Sequence, residues 1–99
     1  LILVCITSCT NCEESIKEHV LPQKFKGEIQ YLYKDKRDRG ACHLVLHNEQ
    51  NLIIPYSIYD NVQVGDSIIK LAGEKRFTVF RDTQVIKLYP ICDGRTYKD

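Results

Sequence analysis

The chain has 99 residues and carries 14 Lys and Arg against 13 Asp and Glu, a formal net charge of +1. This length suits a single domain, and the balanced charge argues against nucleic acid as a partner. Hydrophobic residues make up 43% of the chain, Gly and Pro number only 5 and 3, and no repeat is visible, which argues against a disordered or a solenoid protein.

The first nine residues form an uncharged, largely apolar run, Leu-Ile-Leu-Val-Cys-Ile-Thr-Ser-Cys. The run is too short for a membrane-spanning helix, which needs about 20 residues, but it fits the distal part of a secretory signal. Its last four residues, which end at Cys9, resemble a bacterial lipobox, in which the Cys is diacylated through its thiol before the chain is cut on its N-terminal side. We therefore expect residues 1–8 to be a signal-peptide remnant and Cys9 to carry a lipid of the palmitate kind. The alternative is a buried first strand over residues 1–6.

Cys9 and Cys12 also form a Cys-x-x-Cys motif, and the following Glu13 and Glu14 are typical of the first turn of a helix. Two thiols at a helix N-terminus can bind a soft metal or take part in redox chemistry, because the helix end favours thiolate. This short segment resembles the metal-binding loop of heavy-metal-associated domains, although the second helix of that fold is missing later in the chain. A soluble metal-binding or thiol-redox module is therefore the alternative function. It excludes a lipidated Cys9.

Cys42, His43 and His47 form a second group of metal-binding residue types. Residues 41–47 are predicted as a strand, which places the two His side chains on one face, about 13 Å apart, and Cys42 on the other face. We therefore predict strand histidines that face solvent or are partly packed, and no metal or cofactor. Because no nucleophile elbow, phosphate loop or zinc-protease helix is visible in the sequence, we expect no enzymatic activity.

The hydrophobic pattern from residue 25 onward has a period of two, which predicts antiparallel strands. The predicted strands span residues 28–34, 41–47, 52–54, 67–71, 76–81 and 83–89, with Ile29, Tyr31 and Tyr33 on one face of the first. The charged stretch 35–40 predicts a solvated hairpin loop, and residues 56–63 predict a helical turn or an irregular crossover. Gly65 and Asp66 predict a sharp corner, because Gly allows positive φ and Asp can cap a turn.

These elements predict a mainly β fold, namely a partly open antiparallel barrel of five to six strands, OB-like or SH3-like, with a short N-terminal helix. We expect the barrel domain to span residues 25–99. Residues 9–24 would form a tether that contains the helix and carries the domain off the membrane.

Several segments together resemble the small lipoproteins common in Bacteroides-type bacteria. They are the lipobox at Cys9, a Lys-Gly-Glu-Ile strand, the charged hairpin, the Gly-Asp-Ser-Ile corner within residues 59–70 and the Phe-Thr-Val-Phe-Arg strand at residues 77–81. The resemblance implies a protein of the bacterial cell envelope that is lipid-anchored to a membrane, and it lends no catalytic residue. We expect a binding or structural role with a protein partner in the envelope.

A further hypothesis is a barrel that binds sugars or oligonucleotides through four tyrosines used as stacking platforms. These are Tyr31, Tyr33, Tyr56 and Tyr59.

If Cys9 carries lipid and Cys5 leaves with the signal, three cysteines remain in an oxidising envelope, so one internal disulfide at most can form. Cys42 and Cys92 are the likelier pair, and closing that loop would stabilise the fold by roughly 4 kcal/mol in the chain-entropy model. The alternative is that Cys42 and Cys92 are both free, buried thiols, which the sequence slightly favours.

Overall fold

The structure is a computed structural model that describes residues 12–99; the expectations for Cys9, for a signal segment and for a first strand lie outside these residues. It contains two α-helices, a 3-10 turn and eight strands. In chain order they are α1 (Cys12–His19), β1 (Phe25–Asp35), the 3-10 turn (Lys36–Asp38), β2 (Ala41–Leu46), β3 (Asn51–Ile54), α2 (Tyr56–Tyr59), β4 (Ser67–Lys70), β5 (Phe77–Arg81), β6 (Gln84–Leu88), β7 (Ile91–Cys92) and β8 (Arg95–Thr96).

The main sheet has six antiparallel strands in the order β3-β2-β1-β4-β5-β6, and β7 and β8 form a separate hairpin. The long strand β1 belongs to both halves of this sheet, because its first residues pair with β4 and its later residues pair with β2. The prediction of a mainly β fold with a short N-terminal helix is confirmed. The two outer strands, β3 and β6, do not pair with each other, so the sheet is not closed into a barrel.

A β-bulge in β1 changes which residues face the core. Ile29 and Tyr31 lie opposite consecutive residues of β2, so the intervening Gln30 has no partner across the ladder. One extra residue reverses the alternation of faces along the rest of the strand. Ile29 is therefore fully buried, whereas Tyr31 is 48% exposed. The prediction that Ile29, Tyr31 and Tyr33 share a face is wrong, because a pattern of period two takes no account of a bulge.

The core lies between the two halves of the curved sheet and extends to α1. The helix contributes Ile16 and Val20, which are buried together with side chains from β1, β2, β4 and β5. The helical part of the segment expected to be a tether is thus packed against the domain. The buried cluster consists of Ile16, Val20, Phe25, Ile29, Cys42, Leu44, Leu46, Ile54, Ile58, Val62, Ile68, Phe77 and Val79.

The corner before β4 forms as predicted. Gly65 has a φ of +96°, and the Asp66 carboxylate accepts a hydrogen bond of 3.0 Å from the backbone N–H of Gln63. Arg81 donates two further hydrogen bonds to the same carboxylate, of 3.0 and 2.8 Å. Because Arg81 stabilises the charged form, the pKa of Asp66 lies below its usual value. The corner also exchanges two backbone hydrogen bonds with Ile29, and so holds β1 at its bulge.

Candidate functional site

A disulfide joins the beginning of the described chain to a point near its end. It links Cys12 at the start of α1 to Cys92 in β7, with a Cα–Cα distance of 6.0 Å and a sequence separation of 80. Cys42 is a free, buried thiol whose pKa is raised by that burial. The possible pairing of Cys42 with Cys92 is therefore corrected, because Cys92 is bonded to Cys12; of the two free, buried thiols in the alternative, only Cys42 is found. We call α1 with the hairpin of β7 and β8 the helix–hairpin unit.

A tight turn places Cys92 beside the helix. Asp93 and Gly94 connect β7 to β8, and both have positive φ, 53° and 74°. Positive φ at both central residues defines a type I′ turn, for which Asp-Gly is a preferred sequence. That dipeptide was the sequence signal for a hairpin here. The hairpin was not predicted, because its flanking strands are only two residues long and show no periodicity.

Three potential metal ligands meet at the disulfide. One ligand atom from each of Cys12, Cys92 and Asp93 lies within 4.8 Å of the others. A disulfide sulfur is not a thiolate, so in this oxidised form the group does not offer the ligand set that a soft metal prefers. The same bond bears on the alternative pair of Cys9 and Cys12. Cys9 lies outside the described residues, and the sulfur of Cys12 is already bonded to Cys92.

A wide cleft lies along one side of the helix–hairpin unit. Its volume is about 490 Å³, and its walls come from α1, from the turn before β5 and from the C-terminal segment. Four cationic side chains and two carboxylates line it over a partly apolar floor. The lining residues are Glu13, Glu14, Ile16, Lys17, Leu21, Lys75, Arg95, Thr96, Tyr97 and Lys98. We call this cavity the basic cleft.

A smaller, mostly apolar groove of about 280 Å³ lies beside the disulfide. It is lined by α1, β3 and β7, and its rim includes Ile53 and Ile91, which are 54% and 50% exposed. The helix–hairpin unit thus borders one cavity with mainly charged walls and a second with mainly apolar walls.

The outer face of β1 and β2 carries a small aromatic group. The rings of Tyr33 and His43 are stacked with centroids 4.6 Å apart, and the Tyr31 ring lies 5.9 Å from that of Tyr33. Asn51 donates to the Tyr33 hydroxyl at 2.9 Å, and its side-chain oxygen lies 2.7 Å from His43 Nδ1. His43 is therefore a partly packed strand histidine, as predicted.

His47 is not brought together with His43. It lies just beyond the end of β2, where its Nε2 is 3.4 Å from the Glu28 carboxylate and both side chains are exposed. Cys42 is buried on the opposite face of β2. The structure does not assemble these three residues into a ligand set.

The other two tyrosines of the stacking hypothesis lie elsewhere. The ammonium of Lys34 donates to the Tyr56 hydroxyl at 3.2 Å, and it lies 4.4 Å from the centre of the Tyr56 ring and 5.5 Å from that of Tyr59. The hydrogen bond to Tyr56 raises the pKa of Lys34. Because neighbouring residues of a strand point to opposite faces, Lys34 and its two tyrosines lie on the other side of the sheet from Tyr33. The four tyrosines do not form one platform.

Lys70 is a buried cation that the sequence analysis did not single out. Its side chain is 0% exposed, and its ammonium donates to the carbonyl oxygens of Gln23 at 3.2 Å and Leu71 at 2.6 Å. Burial lowers the pKa of this amine. The signal available in the sequence was the spacing of two residues between Lys70 and Ile68 in the predicted strand, since alternate residues of a strand share a face. Its bonds connect β4 to the segment between α1 and β1.

Comparison of the chain with family models, with curated proteins and with solved structures found no match. None of the helices in the described part of the chain has the length and apolar character needed to cross a membrane.

Proposed function

We propose that the chain is a lipid-anchored protein of the bacterial cell envelope whose small β domain, of the partly open barrel kind, binds a partner or serves a structural role. The observation that carries the proposal is the disulfide between Cys12 and Cys92. Disulfides persist in oxidising compartments such as the bacterial periplasm and are rare in the cytosol. A protein with this bond and with a lipobox ending at Cys9 fits export followed by acylation.

The position of the disulfide also bears on how close the anchored domain would lie to the membrane. Only two residues separate Cys9 from Cys12, the first residue of α1. Three residues of fully extended chain span at most about 11 Å. An acyl group on Cys9 would therefore hold the helix–hairpin unit next to the membrane, and not at the end of a long tether.

A binding or structural role, and not catalysis, is supported by what the perturbed ionisable groups do. Asp66 binds Arg81 and the turn before β4, while Lys70 donates to two backbone carbonyls. Lys34 is held by Tyr56. Perturbed pKa values often mark catalytic groups, but hydrogen bonds within the fold shift the pKa of Asp66 and Lys34, and burial shifts that of Lys70. We therefore propose a protein partner in the envelope and no chemistry on a substrate.

The test is metabolic labelling with radioactive palmitate in a bacterial host that processes lipoproteins, using the chain with its native start. We expect label in the membrane-extracted protein, no label in a Cys9→Ala variant, and unchanged label in the matched control Cys42→Ala. Label that persists in Cys9→Ala, or a wild-type chain without label, would contradict the proposal.

A further inference from the structure

Three separate chain segments fix the walls of the basic cleft, whose volume is about 490 Å³. The disulfide holds α1 on one side. On the other side, the backbone N–H of Lys75 donates to the Asp99 carboxylate at 2.6 Å, and its ammonium donates to the Lys98 carbonyl at 3.3 Å. The backbone N–H of Gly73 donates to the Leu21 carbonyl at 2.7 Å and joins the turn before β5 to the end of the helix segment. The cleft is thus a feature of the fold and not a gap between loose segments.

The charge of the cleft is positive although that of the whole chain is nearly balanced. Four cations line it, Lys17, Lys75, Arg95 and Lys98, against the two carboxylates Glu13 and Glu14. The lining side chains alone carry an excess of two positive charges, against +1 for all 99 residues, and the Asp99 carboxylate bonded to Lys75 lies beside them. Such a cavity attracts groups that carry concentrated negative charge, above all phosphate.

The location of the cleft bears on which phosphate-bearing ligand it would meet. The wall formed by α1 begins at residue 13, next to Cys12, so the cleft lies at the end of the domain that an acyl group on Cys9 would hold at the membrane. The reach of about 11 Å from Cys9 to Cys12 is close to the Debye length of about 8–10 Å at physiological salt. At this separation salt weakens the attraction of basic side chains to an anionic membrane surface without abolishing it.

From the cavity, its charge and its place beside the anchoring cysteine, we infer that the basic cleft receives phosphate-bearing headgroups of anionic lipids. The inference rests on the proposed function, because lipid attachment at Cys9 is what brings the cleft to the membrane. It adds a second contact to the acyl anchor, one that orients the domain so that the helix–hairpin unit faces the bilayer.

The experiment measures binding of the full chain to vesicles by co-sedimentation, with Cys9→Ala in every sample so that acylation does not contribute. The test variant adds Lys17→Gln and Arg95→Gln, which remove one cation from the α1 wall and one from the C-terminal wall of the cleft. The matched control adds Lys36→Gln and Arg37→Gln, which remove the same charge from the exposed 3-10 turn outside the cleft. The vesicles contain phosphatidylglycerol in phosphatidylcholine, or phosphatidylcholine alone.

Each cation near an anionic surface contributes roughly fivefold in binding. We therefore expect the cleft variant to bind anionic vesicles roughly 25-fold more weakly, and the control to stay within about threefold of the parent. All three chains should bind the neutral vesicles equally, and inorganic phosphate added at constant ionic strength should not displace the parent from anionic vesicles. Equal thermal unfolding midpoints would show that the variants are folded.

Equal losses in the cleft and control variants, or equal binding of the parent to both kinds of vesicle, would overturn the inference. Displacement by inorganic phosphate would overturn the membrane assignment and indicate a site for free phosphate. None of these outcomes depends on acylation, which the palmitate experiment tests separately.

Discussion

Two regions of the molecule are held together by bonds of very different reach. The corner before β4 is closed by Asp66 and Arg81, which are 15 residues apart, whereas the helix–hairpin unit is closed by cysteines that are 80 residues apart. The corner depends on a local turn with a capping carboxylate, so it can be predicted from the residue types in that turn. The disulfide depends on where two distant segments meet in the finished fold. The comparison shows that two kinds of constraint stabilise this small domain. One is the local ion pair at the corner, and the other is the long-range disulfide.

Removal of the disulfide between Cys12 and Cys92 should have the largest effect on the free energy of unfolding. For a closed loop of 80 residues, the chain-entropy relation gives a stabilisation of about 4.5 kcal/mol. We expect Cys12→Ser to lower the free energy of unfolding in urea by an amount of this order, and Cys12→Ser/Cys92→Ser to lower it no further. Reduction of the wild-type protein should reproduce the loss, with Cys42→Ala as a control that stays sensitive to reduction. Wild-type stability that does not change on reduction would contradict this role of the disulfide.

Removing the charge at the corner should have a smaller effect. Asp66 is buried, but the Arg81 side chain is 29% exposed. We therefore expect Asp66→Asn to lower the free energy of unfolding by about 2–3 kcal/mol, which is below the range for a fully buried pair. The matched control is Asp82→Asn, which neutralises an exposed carboxylate next to Arg81 and should cost less than about 0.5 kcal/mol. Equal unfolding free energies for the two variants would show that the corner is not held by this pair.

The same pair predicts a pH dependence. The pKa of Asp66 is lowered in the folded protein by the hydrogen bonds from Arg81. Its contribution to stability is therefore complete above the unfolded-state value of about 3.9 and is lost as the pH falls through the lower folded value. We expect wild-type stability to fall below about pH 4 more steeply than that of Asp66→Asn. Parallel acid-unfolding curves for the two proteins would contradict the assignment.

The turn that positions Cys92 should respond to backbone strain alone. Gly94 has a φ of +74°, and a Cβ built there would meet nothing within 4 Å. We expect Gly94→Ala to destabilise by about 1 kcal/mol, because an L-residue with a Cβ is strained at positive φ. Gly94→Asn should recover much of this loss, since Asn tolerates that region. Thermal unfolding of the three proteins checks the order, and an Ala variant as stable as the wild type would refute the turn.

The smallest effect is expected at the exposed pair of His47 and Glu28, 3.4 Å apart. Exposed ion pairs contribute little because solvent screens them. His47→Gln should change the free energy of unfolding by less than about 0.5 kcal/mol. A larger loss would mean that this histidine has a role that its exposed position does not indicate.

Much of the fold could be predicted from the alternation of apolar residues and from turn chemistry. The short helix, the strands at residues 41–46 and 77–81, and the Gly65-Asp66 corner follow from signals contained within a few residues. The missed features have different physical origins. The bulge at Gln30 adds one unpaired residue without any change of composition, and it moves Tyr31 and Tyr33 to the outer face.

The elements of the candidate site were harder to predict for the same reason. Cys12 was assigned to a tether, where it had no reason to meet Cys92, and only the packing of Ile16 and Val20 against the core brings the two sulfurs together. The basic cleft combines side chains from both ends of the described chain. No local pattern records which of the scattered Lys and Arg residues will meet in space.

The most direct test of the central claim is the intact mass of the full-length protein, expressed with its native start in a bacterial host and extracted from membranes, beside the Cys9→Ala variant. Lipid anchoring predicts a mass equal to residues 9–99 plus acyl chains, lost in the variant, with the mass decrement of one disulfide retained in both. An uncleaved chain without acyl groups, the same in both proteins, would contradict the account.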